Sequence, residues 1–134
     1  MEIQLKIIGS FLIALSLVHF IFPKYFNWEK DLRPLSLINR EMMYVHTFFI
    51  ALVVFLMGAL CIISSHEIVT TDLGRNLALG FGIFWGIRLY IQFFGYSSTL
   101  WKGKMFETAV HVVFSIFWTY LSIVFFMIYF RFPN

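Results

Sequence analysis

The chain has 134 residues, of which 60% are hydrophobic, 21% aromatic and only 13% charged. Soluble domains carry about a quarter charged residues, so an ordinary soluble domain is excluded, and one cysteine, Cys61, excludes an internal disulfide. The net charge of +3 is too small to imply nucleic acid, and the basic residues fall where membrane proteins place them.

In chain order, the first apolar run covers residues 3–22 and reads as a membrane span. It is longer than the apolar core of a signal peptide and no small-x-small site follows, so it reads as a retained helix. Pro23 is expected to end it, because proline cannot donate the next helical hydrogen bond. Residues 24–41 form the longest polar segment. Tyr25, Phe26 and Trp28 beside Lys24 and Lys30 suit a strip at the headgroup level. Ser36 or Asn39 is placed to cap the next helix.

The second span is read over residues 42–63, with His66 at the interface beyond it. A short polar loop through Thr70, Thr71 and Asp72 leads to a third span over 73–94. Ala78, Gly82 and Gly86 recur there every four residues, a pattern that lets a neighbouring backbone approach closely. The tight loop 95–104 makes the third and fourth helices antiparallel neighbours, and the fourth span, 106–130, is long enough to tilt. The expected fold is therefore all-α: a polytopic membrane protein forming one four-transmembrane-helix, up-down bundle.

Lys24, Lys30, Arg33, Arg40, Lys102 and Lys104 lie in the first and last loops, against Lys6, Arg75 and Arg131 on the other side. The positive-inside rule then puts both termini outside the cytoplasm, in a membrane of the bacterial inner-membrane type. At about 1.5 Å per residue, His19, His46, Arg88, Gln92, Glu107 and His111 all fall within roughly 10 Å of the cytoplasmic interface. Charged groups in hydrocarbon cost about 2.5–3.5 kcal/mol on the insertion scale and by default mark function.

The helical faces agree at about 100° per residue. Phe81, Trp85, Arg88 and Gln92 share one stripe, and Glu107, His111, Ser115, Trp118 and Ser122 another. Gly9, Leu12, Ser16 and His19 share a side of the first helix, and Met42, His46, Ile50, Val53 and Met57 a side of the second. Because lipid cannot hydrogen-bond them, such groups are expected to face the bundle interior.

Three functions are compatible with this layer. In the first, His19, His46, His111 and Glu107 form a metal site for a transition metal, or two of the histidines ligate a haem. Arg88 and Gln92 then hold a ligand or an anionic head. Without metal, Glu107 and His111 act as the catalytic acid–base pair on a lipid or quinone-like molecule entering from the bilayer. No local motif such as His-Glu-x-x-His is present. The second function is proton-linked transport by a homo-oligomer, since four short helices cannot enclose a generous pathway alone. The third is a structural subunit whose polar groups only fix helix order. The partners implied are the lipid bilayer and a lipophilic small molecule.

Overall fold

The computed structural model describes residues 1–96, 98–100 and 102–131. Its described residues are helical, with turns between, and fall into two compact units. The first unit, Glu2–Ser65, contains α1 (Glu2–Val18), α2 (Phe22–Tyr25), α3 (Trp28–Asp31) and α4 (Leu37–Ile63). The second begins at His66 and is built on α6 (Asp72–Phe94) and α7 (Met105–Arg131), with α5 (Ser65–Thr70) at the junction.

Among the described residues three helices, α4, α6 and α7, are long and apolar enough to cross a membrane. The expectation of four is corrected here. With 17 residues, α1 rises about 26 Å, short of a hydrocarbon core of about 30 Å. It stops at Val18 because of His19. The His19 Nδ1–H donates to the Leu15 carbonyl at 2.8 Å, and the His19 backbone N–H divides between Leu15 and Ser16 at 3.3 and 3.2 Å. Phe20 and Ile21 then bond to Leu17 and Val18, so the helix tightens to an i−3 pattern and ends. Pro23, expected to stop this helix, instead lies in the first turn of α2, where its missing N–H costs nothing. With three such helices rather than four, the ground for placing both termini on one side is removed.

Within the first unit α1 and α4 are antiparallel and meet at glycine. A Cβ on Gly9 would stand 2.5 Å from the Gly58 carbonyl oxygen, and one on Gly58 would stand 2.7 Å from that of Gly9. Leu5, Ile8, Leu12 and Ser16 of α1 and Ala51, Val54, Met57 and Cys61 of α4 are buried. The α1 stripe is therefore as expected, but α4 turns differently. Of the stripe read on it, Met57 is buried while Met42, His46, Ile50 and Val53 are exposed. The glycine contact decides this, because it aligns the seam through Ala51, Val54, Gly58 and Cys61, about 100° around the helix from His46.

In the second unit α6 and α7 are antiparallel along a ladder of facing pairs. Gln92 meets His111, Trp85 stacks on Trp118 at 4.8 Å, Phe81 meets Phe125, and Arg75 reaches Tyr129. Ala78 is fully buried, and a Cβ on Gly82 would press on the Phe126 ring at 3.2 Å. The small-residue stripe thus admits the large rings of α7. Thr71 caps α6, accepting from the Gly74 N–H at 3.0 Å and donating to the Glu67 carbonyl at 2.6 Å. Thr71→Ala is expected to lower stability by about 1 kcal/mol, the usual value of a lost N-cap, seen as a lower thermal midpoint in detergent.

Large apolar side chains remain exposed on all three long helices, among them Phe49, Leu56, Ile87, Phe93, Val113 and Ile116. Contiguous apolar surface of this extent marks contact with lipid or protein, and here it suits the acyl chains of a bilayer.

Candidate functional site

The polar groups of α6 and α7 form a connected line. Four residues apart on α6, Arg88 and Gln92 project from the same face. The Arg88 Nη1–H donates to Gln92 Oε1 at 3.1 Å. Arginine has no acceptor, so this bond fixes the Gln92 amide with its Nε2 toward α7. There Gln92 Nε2 donates to His111 Nδ1 at 3.0 Å and reaches the His111 carbonyl oxygen at 3.4 Å. An amide N–H can only donate, so His111 Nδ1 must be the acceptor, which places the imidazole proton on Nε2. Gln92 is 7% exposed, so both ends of its amide are matched where water is scarce.

Aromatic rings frame the guanidinium. The Arg88 Cζ lies 5.3 Å from the Trp118 ring centroid and 5.5 Å from that of Tyr96, within range of cation–π attraction. Trp118 is stacked on Trp85 with 9° between the planes, and Phe93 approaches the His111 ring edge-on at 5.9 Å. Below them Ser115 and Ser122 donate to the carbonyls of His111 and Trp118, the i−4 bond that satisfies a hydroxyl inside a helix.

One buried donor is in surplus, beside a half-buried guanidinium. Trp118 is buried, and its Nε1–H has no hydrogen-bond partner among the described residues. Of the five N–H donors of Arg88, the hydrogen bond described is the one to Gln92. A buried donor left unmatched costs about 1–3 kcal/mol, so the site is short of acceptors.

The remaining expected site residues are placed as follows. Glu107 is exposed in the first turn of α7, and the partner of the His111 Nδ1 is Gln92 rather than this carboxylate four residues before it. His19 is half-buried, with its Nδ1–H on Leu15 and its ring 4.8 Å from Phe22. His46 is exposed. Among the described residues no group of three or more His, Cys, Asp or Glu side chains is placed to hold a metal ion. The metal set His19, His46, His111 and Glu107 is therefore not found assembled, and the haem variant gains no support.

Sequence reasoning missed Arg75. Its Nε–H donates to the Tyr129 carbonyl at 3.1 Å and its guanidinium lies 4.6 Å from the Tyr129 ring. The signal was present, because Arg75, Ala78, Gly82, Trp85 and Gln92 continue a single stripe along α6. The unmatched indole of Trp118 could not be read from sequence, since it depends on which acceptors the fold brings near. The chain matches no protein-family model, no curated protein and no solved structure.

Proposed function

We propose that this is a small integral membrane protein whose α6–α7 hairpin binds a lipophilic small molecule of lipid or quinone type by its oxygen-bearing head. The observation that carries this reading is the unmatched buried donor of Trp118. The indole Nε1–H is buried without an acceptor among the described residues, and the Arg88 guanidinium lies over the same ring. A carboxylate, phosphate or quinone carbonyl supplies the missing acceptors, and the exposed apolar faces of both helices give such a molecule a route from the bilayer.

In this reading Arg88 holds the head, and Gln92, whose amide is already matched, positions it. Arg88 contributes the charge, and Gln92 fixes both Arg88 and the His111 ring. His111, with its proton on Nε2, is the group able to exchange a proton with a bound oxygen, and Glu107 lies one turn away on α7 as its proton source or sink. The stacked tryptophans form an apolar wall beside the head.

The test is equilibrium binding of a short-tailed benzoquinone and of oleate to the protein in nanodiscs, followed by quenching of tryptophan fluorescence. Saturable quenching by at least one probe is expected, with Arg88→Leu weakening it about tenfold or more, equivalent to about 1.4 kcal/mol. Non-saturable quenching by both probes, or equal affinity in Arg88→Leu, contradicts the reading.

A further inference from the structure

A second candidate site lies within the first unit. Between α3 and the first two turns of α4 is a cleft of about 270 Å³, lined by Trp28, Glu29, Leu32, Leu37, Arg40, Glu41 and Tyr44. The strip expected at the headgroup level carries two short helices, α2 and α3. Asn27, in the left-handed region with φ 56°, turns the chain between α2 and α3. Asparagine accepts that conformation more readily than most residues. Trp28 is thereby driven inward to 9% exposure, its ring edge-on to Tyr44 at 5.5 Å.

Length leaves room for this cleft at the headgroup level. At 27 residues, α4 rises about 40 Å against a hydrocarbon core of about 30 Å, so its first turns have room to stand among the headgroups. Tryptophan and tyrosine are the residues that favour that zone.

The lining has a definite chemistry. Arg40 Nε is buried and has no hydrogen-bond partner among the described residues, leaving part of a guanidinium fork without an acceptor. That fork matches a phosphate bidentately. On the same lining are two carboxylates, Glu29 and Glu41, and two aromatic rings, a combination that attracts an ammonium by charge and by cation–π contact. One cation, two carboxylates and two rings call for a ligand carrying both signs. Leu37, 62% exposed, supplies an apolar lip where acyl chains would leave.

We infer that the cleft binds the headgroup of a zwitterionic phospholipid, its phosphodiester on Arg40 and its ammonium against Trp28, Tyr44 and the carboxylates of Glu29 and Glu41. A volume just under the ~300 Å³ of small-molecule pockets admits a headgroup and leaves the chains outside. The carboxylates also discriminate. An anionic headgroup without an ammonium meets Glu29 and Glu41 with like charge, which opposes its binding.

The experiment is native mass spectrometry of the full chain released from neutral detergent micelles doped with equal amounts of dioleoyl phosphatidylethanolamine and dioleoyl phosphatidylglycerol. The unsubstituted protein is expected to retain one phosphatidylethanolamine with a preference of about fivefold or more. Arg40→Gln loses retention of both lipids, with helix content by circular dichroism unchanged. Glu29→Gln with Glu41→Gln, both at exposed positions and so without a packing role, retains lipid but loses the preference. Equal retention of the two lipids by the unsubstituted protein overturns the inference, as does an unchanged preference in the double variant. Displacement of the lipid by millimolar inorganic phosphate also overturns it, because the site would then recognise phosphate alone.

Discussion

Alanine at Gly58 or Gly9 is expected to destabilise the first unit by about 1–3 kcal/mol, read as a fall in the thermal or detergent-induced unfolding midpoint. The added methyl group has nowhere to go. On Gly58 it would lie 2.7 Å from the Gly9 carbonyl oxygen and 3.0 Å from the Leu12 Cβ, and on Gly9 2.6 Å from Ile62 Cγ1 as well as 2.5 Å from the Gly58 carbonyl. Each clash includes backbone, so relief requires the two helices to separate. In lipid, helix association rests on close packing rather than on escape from water, and separation therefore removes much of what joins α1 to α4. The two substitutions open the same seam, so the double variant should lose less than the sum of the single ones. Gly80→Ala is the control. Among the described residues nothing lies within 4 Å of its added Cβ, and alanine is favoured over glycine in a helix by about 1 kcal/mol, so that variant should be neutral or more stable.

Trp118→Ala is expected to cost about 3–5 kcal/mol, the range for deleting a buried large aromatic side chain. At 3% exposure the indole touches Trp85, Phe114 and Phe117 and lies under the Arg88 guanidinium. Its loss leaves a cavity at the middle of the α6–α7 ladder and removes an aromatic face from the half-buried Arg88 guanidinium. Trp118→Phe separates packing from chemistry. It keeps an aromatic ring, so the cost should stay below about 1.5 kcal/mol. It also deletes the unmatched Nε1–H, so ligand binding should weaken even where stability does not. A Trp118→Phe variant as unstable as Trp118→Ala would show that the indole serves packing alone.

The α6–α7 half of the site was legible in the sequence because polar residues mark a face on helices that are otherwise apolar all round. Trp85, Arg88 and Gln92 on one helix, and His111, Ser115, Trp118 and Ser122 on the other, fix two stripes, and the short loop between them fixes their antiparallel register. The spans 73–94 and 106–130 differ from α6 and α7 by one residue at each end that moved. On α4 the polar signal is a single histidine, His46, and the glycine contact of Gly58 sets the inner face instead. The early start of α4 at Leu37 follows from Ser36, whose side chain accepts from the Asn39 N–H at 3.5 Å. Asn39, the other capping candidate, is the donor.

Two features depend on contacts that no local pattern carries. One is the end of α1, where a side chain expected to join a metal site turns back on its own helix at Leu15. The other is the pairing of Trp28 with Tyr44, which requires α3 to fold against α4. Histidine content alone could not distinguish a metal set from helix ends that each need a hydrogen bond.

The tautomer of His111 in a bilayer tests the polar line most directly. In solid-state NMR of the ¹⁵N-labelled protein in lipid, His111 should show an unprotonated Nδ1 and a protonated Nε2, with a through-space correlation from Nδ1 to the side-chain amide of Gln92 that disappears in Gln92→Leu. A proton on Nδ1, or the absence of that correlation in the unsubstituted protein, would mean that Arg88, Gln92 and His111 are not joined inside the membrane.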